Sequence, residues 1–261
     1  MALVERHDTG PVCRLTMAAP ERLNALSLAM LAALQAAFDA IAADPTVRVV
    51  ILAAQGKAFC AGHDLKEMQQ ARPASDGGVA TFQGLFDRCA HLMLTIQRLP
   101  QPVIASVQGI ATAAGCQLVA TCDMAVAANT ARFGVNGVNI GLFCSTPMVA
   151  LTRNVPRKAA FEMLTTGSFI DTTRAVELGL INRHVPADTL EAETQSLAET
   201  LAAKLGSAVK IGKRAFYDQI NLPLAEAYDH TAAVMVENML WRDTDEGIAA
   251  FLEKRKPDWQ V

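Results

Sequence analysis

Val103-Ile-Ala-Ser-Val-Gln-Gly-Ile-Ala-Thr-Ala-Ala-Gly-Cys-Gln-Leu118, with Met124-Ala-Val-Ala-Ala128 close behind, sets the fold class. A run of β-branched and small apolar residues, a bend of glycine and alanine, a helical opening and a second apolar run read as strand, helix and strand. Comparable runs lie at Val12 to Met17 and Val49 to Ala53. Strands alternating with helices predict an α/β fold with a mainly parallel sheet covered on both faces.

Working outward, a helix is expected from Leu28, capped by Ser27, through Leu31, Leu34, Phe38 and Ile41 until Asp44-Pro45 stops it. A second should fill Val79 to Leu99, closed by Pro100 and Pro102 and preceded by Pro73 to Gly78, whose composition suits a mobile loop. A helix capped at Asp171, Gly179 and a strand from Ile181 to Val185 end the β content. From Asp188 the pattern is helical, with breaks near Gly206, Leu222-Pro223 and Asp243 to Asp245. The expected organisation is an α/β core over residues 1–200 and a helical C-terminal region over 201–261. That region is too short for a core of its own and must pack on this core or on a neighbouring subunit.

Of 261 residues 51% are hydrophobic, enough for a substantial core, and 23 basic against 26 acidic residues give a net charge of −3 without long runs of either sign. Neither a nucleic-acid partner nor a membrane surface is advertised. The apolar stretch from Pro102 to Ala128 is interrupted by Gln108, Gly109, Gly115, Gln117 and Asp123, against a spanning helix. Met1 to His7 reads as neither signal nor transit segment. Cys13, Cys60, Cys89, Cys116, Cys122 and Cys144 show no zinc or redox spacing, so no metal is expected, and reduced thiols in a cytoplasmic protein are.

Two segments carry candidate chemistry. Gly56-Lys-Ala-Phe-Cys-Ala-Gly-His-Asp-Leu65 follows the strand ending at Ala53, and Gly109-Ile-Ala-Thr-Ala-Ala-Gly-Cys-Gln117 follows the strand ending at Val107. Small side chains leave backbone amides uncovered, and the second segment opens a helix whose first amides are unpaired. Two such bends facing each other make an oxyanion hole, although either one taken alone is more often tight packing.

The order and spacing of Arg22-Leu-Asn-Ala-Leu26, Phe59-Cys-Ala-Gly-His-Asp-Leu65, Ala113-Ala-Gly-Cys-Gln-Leu118 with Cys122-Asp123, and Phe251-Leu-Glu-Lys-Arg-Lys256 resembles the enoyl-CoA hydratase/isomerase (crotonase) family over nearly the whole chain. Gly137-Val-Asn-Ile-Gly-Leu-Phe-Cys-Ser-Thr-Pro147 and Arg255-Lys-Pro257 extend the likeness toward the branch of enoyl-CoA hydratase domain-containing protein 3. The resemblance implies a ClpP/crotonase-like core of repeated ββα units, with a C-terminal region that builds a homotrimer or a dimer of trimers. It implies an acyl-CoA thioester as partner, coenzyme A being part of the substrate, and no tightly bound cofactor. Carried over by position, the backbone N–H groups of His63 and Ala114 would receive the thioester oxygen. Ala61, Asp64, Leu65 and Ile110 would lie along the coenzyme, Arg22 and Ala25 near its nucleotide, and Phe251 and Lys254 would reach it from the C-terminal helix. Alone, Arg22 and Lys254 read as solvated surface charges and His63 as a loop imidazole.

The family's two catalytic glutamates fall on Gln117 and Gly137, and a third acidic position on Ser145. Gln117 can orient a water or a carbonyl but accepts no proton near neutral pH. Negligible hydration of crotonyl-CoA is therefore expected. Cys144, Ser145, Asn136 and Asn139 are the polar residues that remain for acid-base work. Each has a plainer reading: Cys144 as a packed thiol, and Ser145-Thr146-Pro147 as a helix start with a hydroxyl cap. Asp64 reads as a helix cap, and Asp87 with His91 as a surface pair. Three functions stay open: a lyase, isomerase or hydrolase using a different acid-base group, a catalytically silent acyl-CoA binder, and an assembly role.

Overall fold

Val49 to Ala54 is buried almost throughout, and its alternate residues enter different cores: Val50 and Leu52 join one apolar cluster, Val49 and Ile51 another. A strand buried on both faces belongs at the centre of a covered parallel sheet. The computed structural model describes residues 2–259. In chain order the elements begin with β1 (Val4–Thr9), β2 (Val12–Met17), α1 (Leu28–Ala42), β3 (Val49–Ala54) and β4 (Ala58–Cys60). Next come α2 (Leu65–Ala71), α3 (Val79–Arg98), β5 (Val103–Val107), β6 (Ile110–Thr112) and α4 (Ala114–Thr121). They are followed by β7 (Met124–Ala128), β8 (Arg132–Gly134), α5 (Pro147–Asn154), α6 (Arg157–Thr166), β9 (Ile170–Asp171), α7 (Thr172–Glu177) and β10 (Arg183–Val185). The chain closes with α8 (Leu190–Ala202), α9 (Gly206–Gln219), α10 (Leu224–Met239) and α11 (Arg242–Leu252).

A six-stranded sheet runs β1-β2-β3-β5-β7-β10, parallel except for the antiparallel β1–β2 hairpin. A second sheet runs β4-β6-β8-β9, with β9 antiparallel. Three consecutive strand pairs, β3/β4, β5/β6 and β7/β8, each send the first strand to the large sheet and the second to the small one. These are the repeated ββα units. Helix α8 covers the face of the large sheet opposite the main core, through Leu190, Ala198 and Ala202.

The helices at Leu28 and Val79 form as expected, and Ser27 caps the first through the Met30 amide. Asp171 caps α7 through the Arg174 amide. Several expectations are corrected. Strand β1 was not anticipated: Val4-Glu-Arg-His-Asp-Thr9 lacks alternation because it is an exposed edge strand held by β2, where charge guards against further pairing. The small sheet escaped because strands of two or three residues carry no period. The strand expected from Ile181 begins at Arg183. The last break falls at Leu240-Trp241, and Asp243 and Asp245 instead occupy the first turn of α11, where carboxylates suit unpaired amides. Pro73 to Gly78 is a run of turns in which the Asp76 carboxylate accepts from the Gly78 and Ala80 amides, both at 2.9 Å.

Candidate active site

Strands β4 and β6 lie side by side in the small sheet, with Cys60 opposite Ala111, so the bends that follow them emerge together. Their approach depends on two glycines. A Cβ on Gly62, whose φ is +89°, would stand 3.0 Å from the Ala113 Cβ and 3.4 Å from the Ala114 nitrogen, and a Cβ on Gly115 would meet the Cys60 carbonyl oxygen at 2.2 Å. Ala113 takes φ +50° and ψ −120°, a strained conformation for a residue with a side chain, and its amide donates to Gly134 at 2.9 Å. The strained turn presents the Ala114 N–H at the start of α4, where no earlier helical carbonyl can accept it. Among the described residues neither the His63 nor the Ala114 amide donates to an oxygen of the chain.

Asn24 fixes the segment beneath the first bend. Fully buried, it donates to the Gln55 and Ala58 carbonyls at 2.9 Å each and accepts from the Ala19 amide at 3.0 Å. The Leu26 amide then donates to Gly62 at 2.7 Å and the Ala61 amide to Leu23 at 3.1 Å. Asn24 stood inside the quoted motif without a role; two of its three bonds reach residues more than 30 positions away, so no local signal reveals them.

Both bends open on one cavity of about 370 Å³. Ala61, His63, Thr112, Ala113 and Ala114 form one wall, Leu65, Met68 and Phe86 a second, and the segment from Asn136 to Pro147 a third. Among the described residues no carboxylate lines it. A larger hollow of about 720 Å³ lies between the end of α3 and the helices α9 and α10, remote from both bends, and carries none of this chemistry.

The His63 imidazole donates from Nδ1 to the Leu26 carbonyl at 3.1 Å, which leaves Nε2 as an acceptor. That nitrogen is buried without a partner among the described residues, and the ring packs edge-to-face on Phe86 at 5.6 Å. Burial holds the imidazole below its ordinary pKa, with the Leu26 bond opposing. Asp64 is buried beside the Arg22 guanidinium and caps α2, accepting from the Lys66 and Glu67 amides at 2.9 and 3.3 Å.

Gln117 is buried one turn into α4 behind Ala114; its side-chain oxygen has no partner among the described residues, and the residue is not part of the cavity wall. Cys144 lines the cavity as a thiol raised above its ordinary pKa by burial, with only the Gly137 amide opposing. Ser145 lines it too, but its hydroxyl donates at 3.4 Å to Phe143 and caps nothing. The expected hydroxyl cap of α5 is absent: Thr146 precedes Pro147 in a helical conformation with no side-chain bond, and the Met148 and Val149 amides that a cap would receive donate instead to the Cys144 and Thr146 carbonyls at 3.0 and 3.2 Å. Asp87 and His91 are exposed on α3, and Asp87 accepts from Gln83 at 2.7 Å.

Leu65 and Ala61 thus meet the bends at the cavity, while Ile110 stands exposed on β6 and Arg22 with Ala25 on the loop beneath. Phe251 is not brought to them; it is 82% exposed and borders a separate hollow among α10, α11 and Trp259, and Lys254 follows just beyond α11.

Strand pairs divided between two sheets, with helices wrapped outside, make the crotonase fold. The chain belongs to the enoyl-CoA hydratase/isomerase family, whose model matches residues 7–261. Within it, the chain is 47% identical over 246 residues to the mitochondrial enoyl-CoA hydratase domain-containing protein 3 of Xenopus laevis, spanning 94% of this chain and 82% of that one. The crystal structure of an enoyl-CoA hydratase from Mycobacterium smegmatis superposes with a TM-score of 0.94 at 53% identity, covering 99% of both chains. That of human enoyl-CoA hydratase domain-containing protein 3 also gives 0.94, at 43% identity over 98% of this chain and all of the other.

The curated relatives of this branch from frog, mouse, human and zebrafish are named mitochondrial, which overturns the cytoplasmic expectation. Reduced thiols, and an N-terminus read as no transit segment, were the ground for it. All six are buried and unpaired, a state that reports shielding and does not distinguish one reducing compartment from another.

Proposed function

We propose that the cavity binds an acyl-CoA thioester and that the His63 and Ala114 N–H groups receive its carbonyl oxygen. One observation carries this reading: two bends from neighbouring parallel strands bring unengaged amides to a single, largely apolar cavity. Two donors aimed at one oxygen stabilise enolate-like charge, each contributing about 3 kcal/mol when preorganised. Ala61 and Leu65 then flank the pantetheine, with Arg22, Ala25, Asp64 and Ile110 toward the nucleotide. Phe251 and Lys254 join only if a neighbouring chain supplies them. Helix α10 has no buried residue and exposes Leu224, Tyr228, Met235, Val236, Met239 and Leu240, an apolar surface consistent with a homotrimer or a dimer of trimers. The relatives' names point to a mitochondrial setting.

The chemistry is of the hydratase/isomerase type with both usual glutamates replaced, by Gln117 and Gly137. A second reading, a catalytically silent acyl-CoA binder, is favoured by the missing carboxylate in the cavity lining. Each absent general base forfeits roughly a hundredfold or more. Calorimetry should detect butanoyl-CoA binding, and Ala114→Pro, which deletes one donor, should weaken it. Crotonyl-CoA hydration should be negligible at high protein concentration. Failure to bind any acyl-CoA sinks the site, and turnover within about tenfold of an ordinary hydratase sinks the claim about lost acid-base catalysis. If other esters are consumed, Gln117→Ala and Cys144→Ala separate the remaining candidates.

A further inference from the structure

Thr112 and Asn136 face each other across the cavity wall, and their bond determines what the wall offers a ligand. The buried Thr112 hydroxyl donates to Asn136 Oδ1 at 2.6 Å. With the amide oxygen engaged, Asn136 presents Nδ2, whose hydrogens have no acceptor among the described residues. Around it the cavity is apolar, lined by Leu65, Met68, Phe86, Ile140, Leu142 and Phe143. A donor in such surroundings is costly to leave unpaired once a ligand displaces water. We propose that Asn136, oriented by Thr112 as a positioning residue, is a specificity-determining residue that donates to a keto oxygen on the acyl chain.

The location follows from chain continuity. Thr112 precedes the Ala114 donor by two residues, and Asn136 precedes Gly137, where the wall has no side chain. Nδ2 therefore addresses the part of the acyl group next to the thioester. A keto oxygen suits it better than a hydroxyl, since a hydroxyl hydrogen needs an acceptor of its own. The Asn136 oxygen already accepts from Thr112.

The proposal rests on the acyl-CoA reading above, and the test separates the two. Calorimetric titration of the full chain with 3-oxohexanoyl-CoA and with hexanoyl-CoA should show the keto ester binding about tenfold tighter. Asn136→Leu should abolish that preference, and Thr112→Val should reduce it severalfold by releasing the amide. Thermal melting checks that each variant is folded, and 3-hydroxyhexanoyl-CoA should fall between the two esters. Equal affinity for keto and plain esters, or a preference that survives Asn136→Leu, overturns the assignment of Asn136. Binding of neither ester would bring down the acyl-CoA reading itself.

Discussion

At position 137 the absence of a side chain is enforced by the backbone. A Cβ on Gly137 would stand 2.3 Å from the Leu142 carbonyl oxygen and 2.9 Å from the Cys144 sulfur. The segment turns back on itself there, the Leu142 amide donating to the Gly137 carbonyl at 3.0 Å, so the obstructing oxygen cannot swing aside as a flexible side chain would. A carboxylate is therefore not accommodated there by one substitution. Gly137→Glu should destabilise by about 2 kcal/mol through overpacking and leave crotonyl-CoA hydration negligible. Urea midpoints and the absorbance of the enoyl thioester measure the two effects, and a stable variant with hydratase-level turnover would contradict the account. That Gly137 carries no carboxylate is legible in the sequence. That a carboxylate does not fit is not, because the crowding atoms belong to residues brought round by a turn.

At the scale of elements, α2 shows how a short helix beside the cavity is held. It buries none of its seven residues and depends on its start, where Asp64 receives two amides and the Arg22 guanidinium. Glu67 ties this turn to α1 by accepting from the Leu28 amide at 3.0 Å. Asp64→Ala should cost about 1 kcal/mol through the lost cap. It should also lower acyl-CoA affinity, because His63 immediately precedes the cap, whereas Asp64→Asn should keep most of the stability. Denaturation and calorimetry distinguish these, and an unchanged Ala variant would show that the bend holds itself. The cap was legible from an aspartate at the head of a short polar helix. Its ion pair was not, since Arg22 lies 42 positions earlier.

For the whole molecule, the question is what fastens the C-terminal helices to the core. Lys213 of α9 is buried and donates to the Ile96 and Gln101 carbonyls at 2.9 and 3.0 Å and to Asp123 at 2.7 Å. Asp123 also accepts from the Tyr217 hydroxyl at 2.9 Å and from the Val103 amide at 2.7 Å. Burial pulls the Lys213 ammonium below its ordinary pKa, and the Asp123 charge opposes it. Removing one partner of a buried pair strands the other, so Lys213→Met should destabilise by about 3 kcal/mol. Limited proteolysis should then cut preferentially in the connection between α8 and α9; a variant as stable and as resistant as the parent would show that α9 is held by apolar contacts alone.

What the sequence determined without help was everything governed by neighbours along the chain. The central strands, α1 and α3, the caps at Ser27, Asp64 and Asp171, and the small-residue bends follow from period, propensity and motif. Tertiary structure alone decided the small sheet, the convergence of the two bends, the bonds of Asn24, the closed space at Gly137, the Thr112–Asn136 pair and the latch at Asp123. Most of these join atoms that the chain holds far apart until packing brings them together, and the space at Gly137 is closed by a turn. Local sequence carries no record of a distance fixed only by packing.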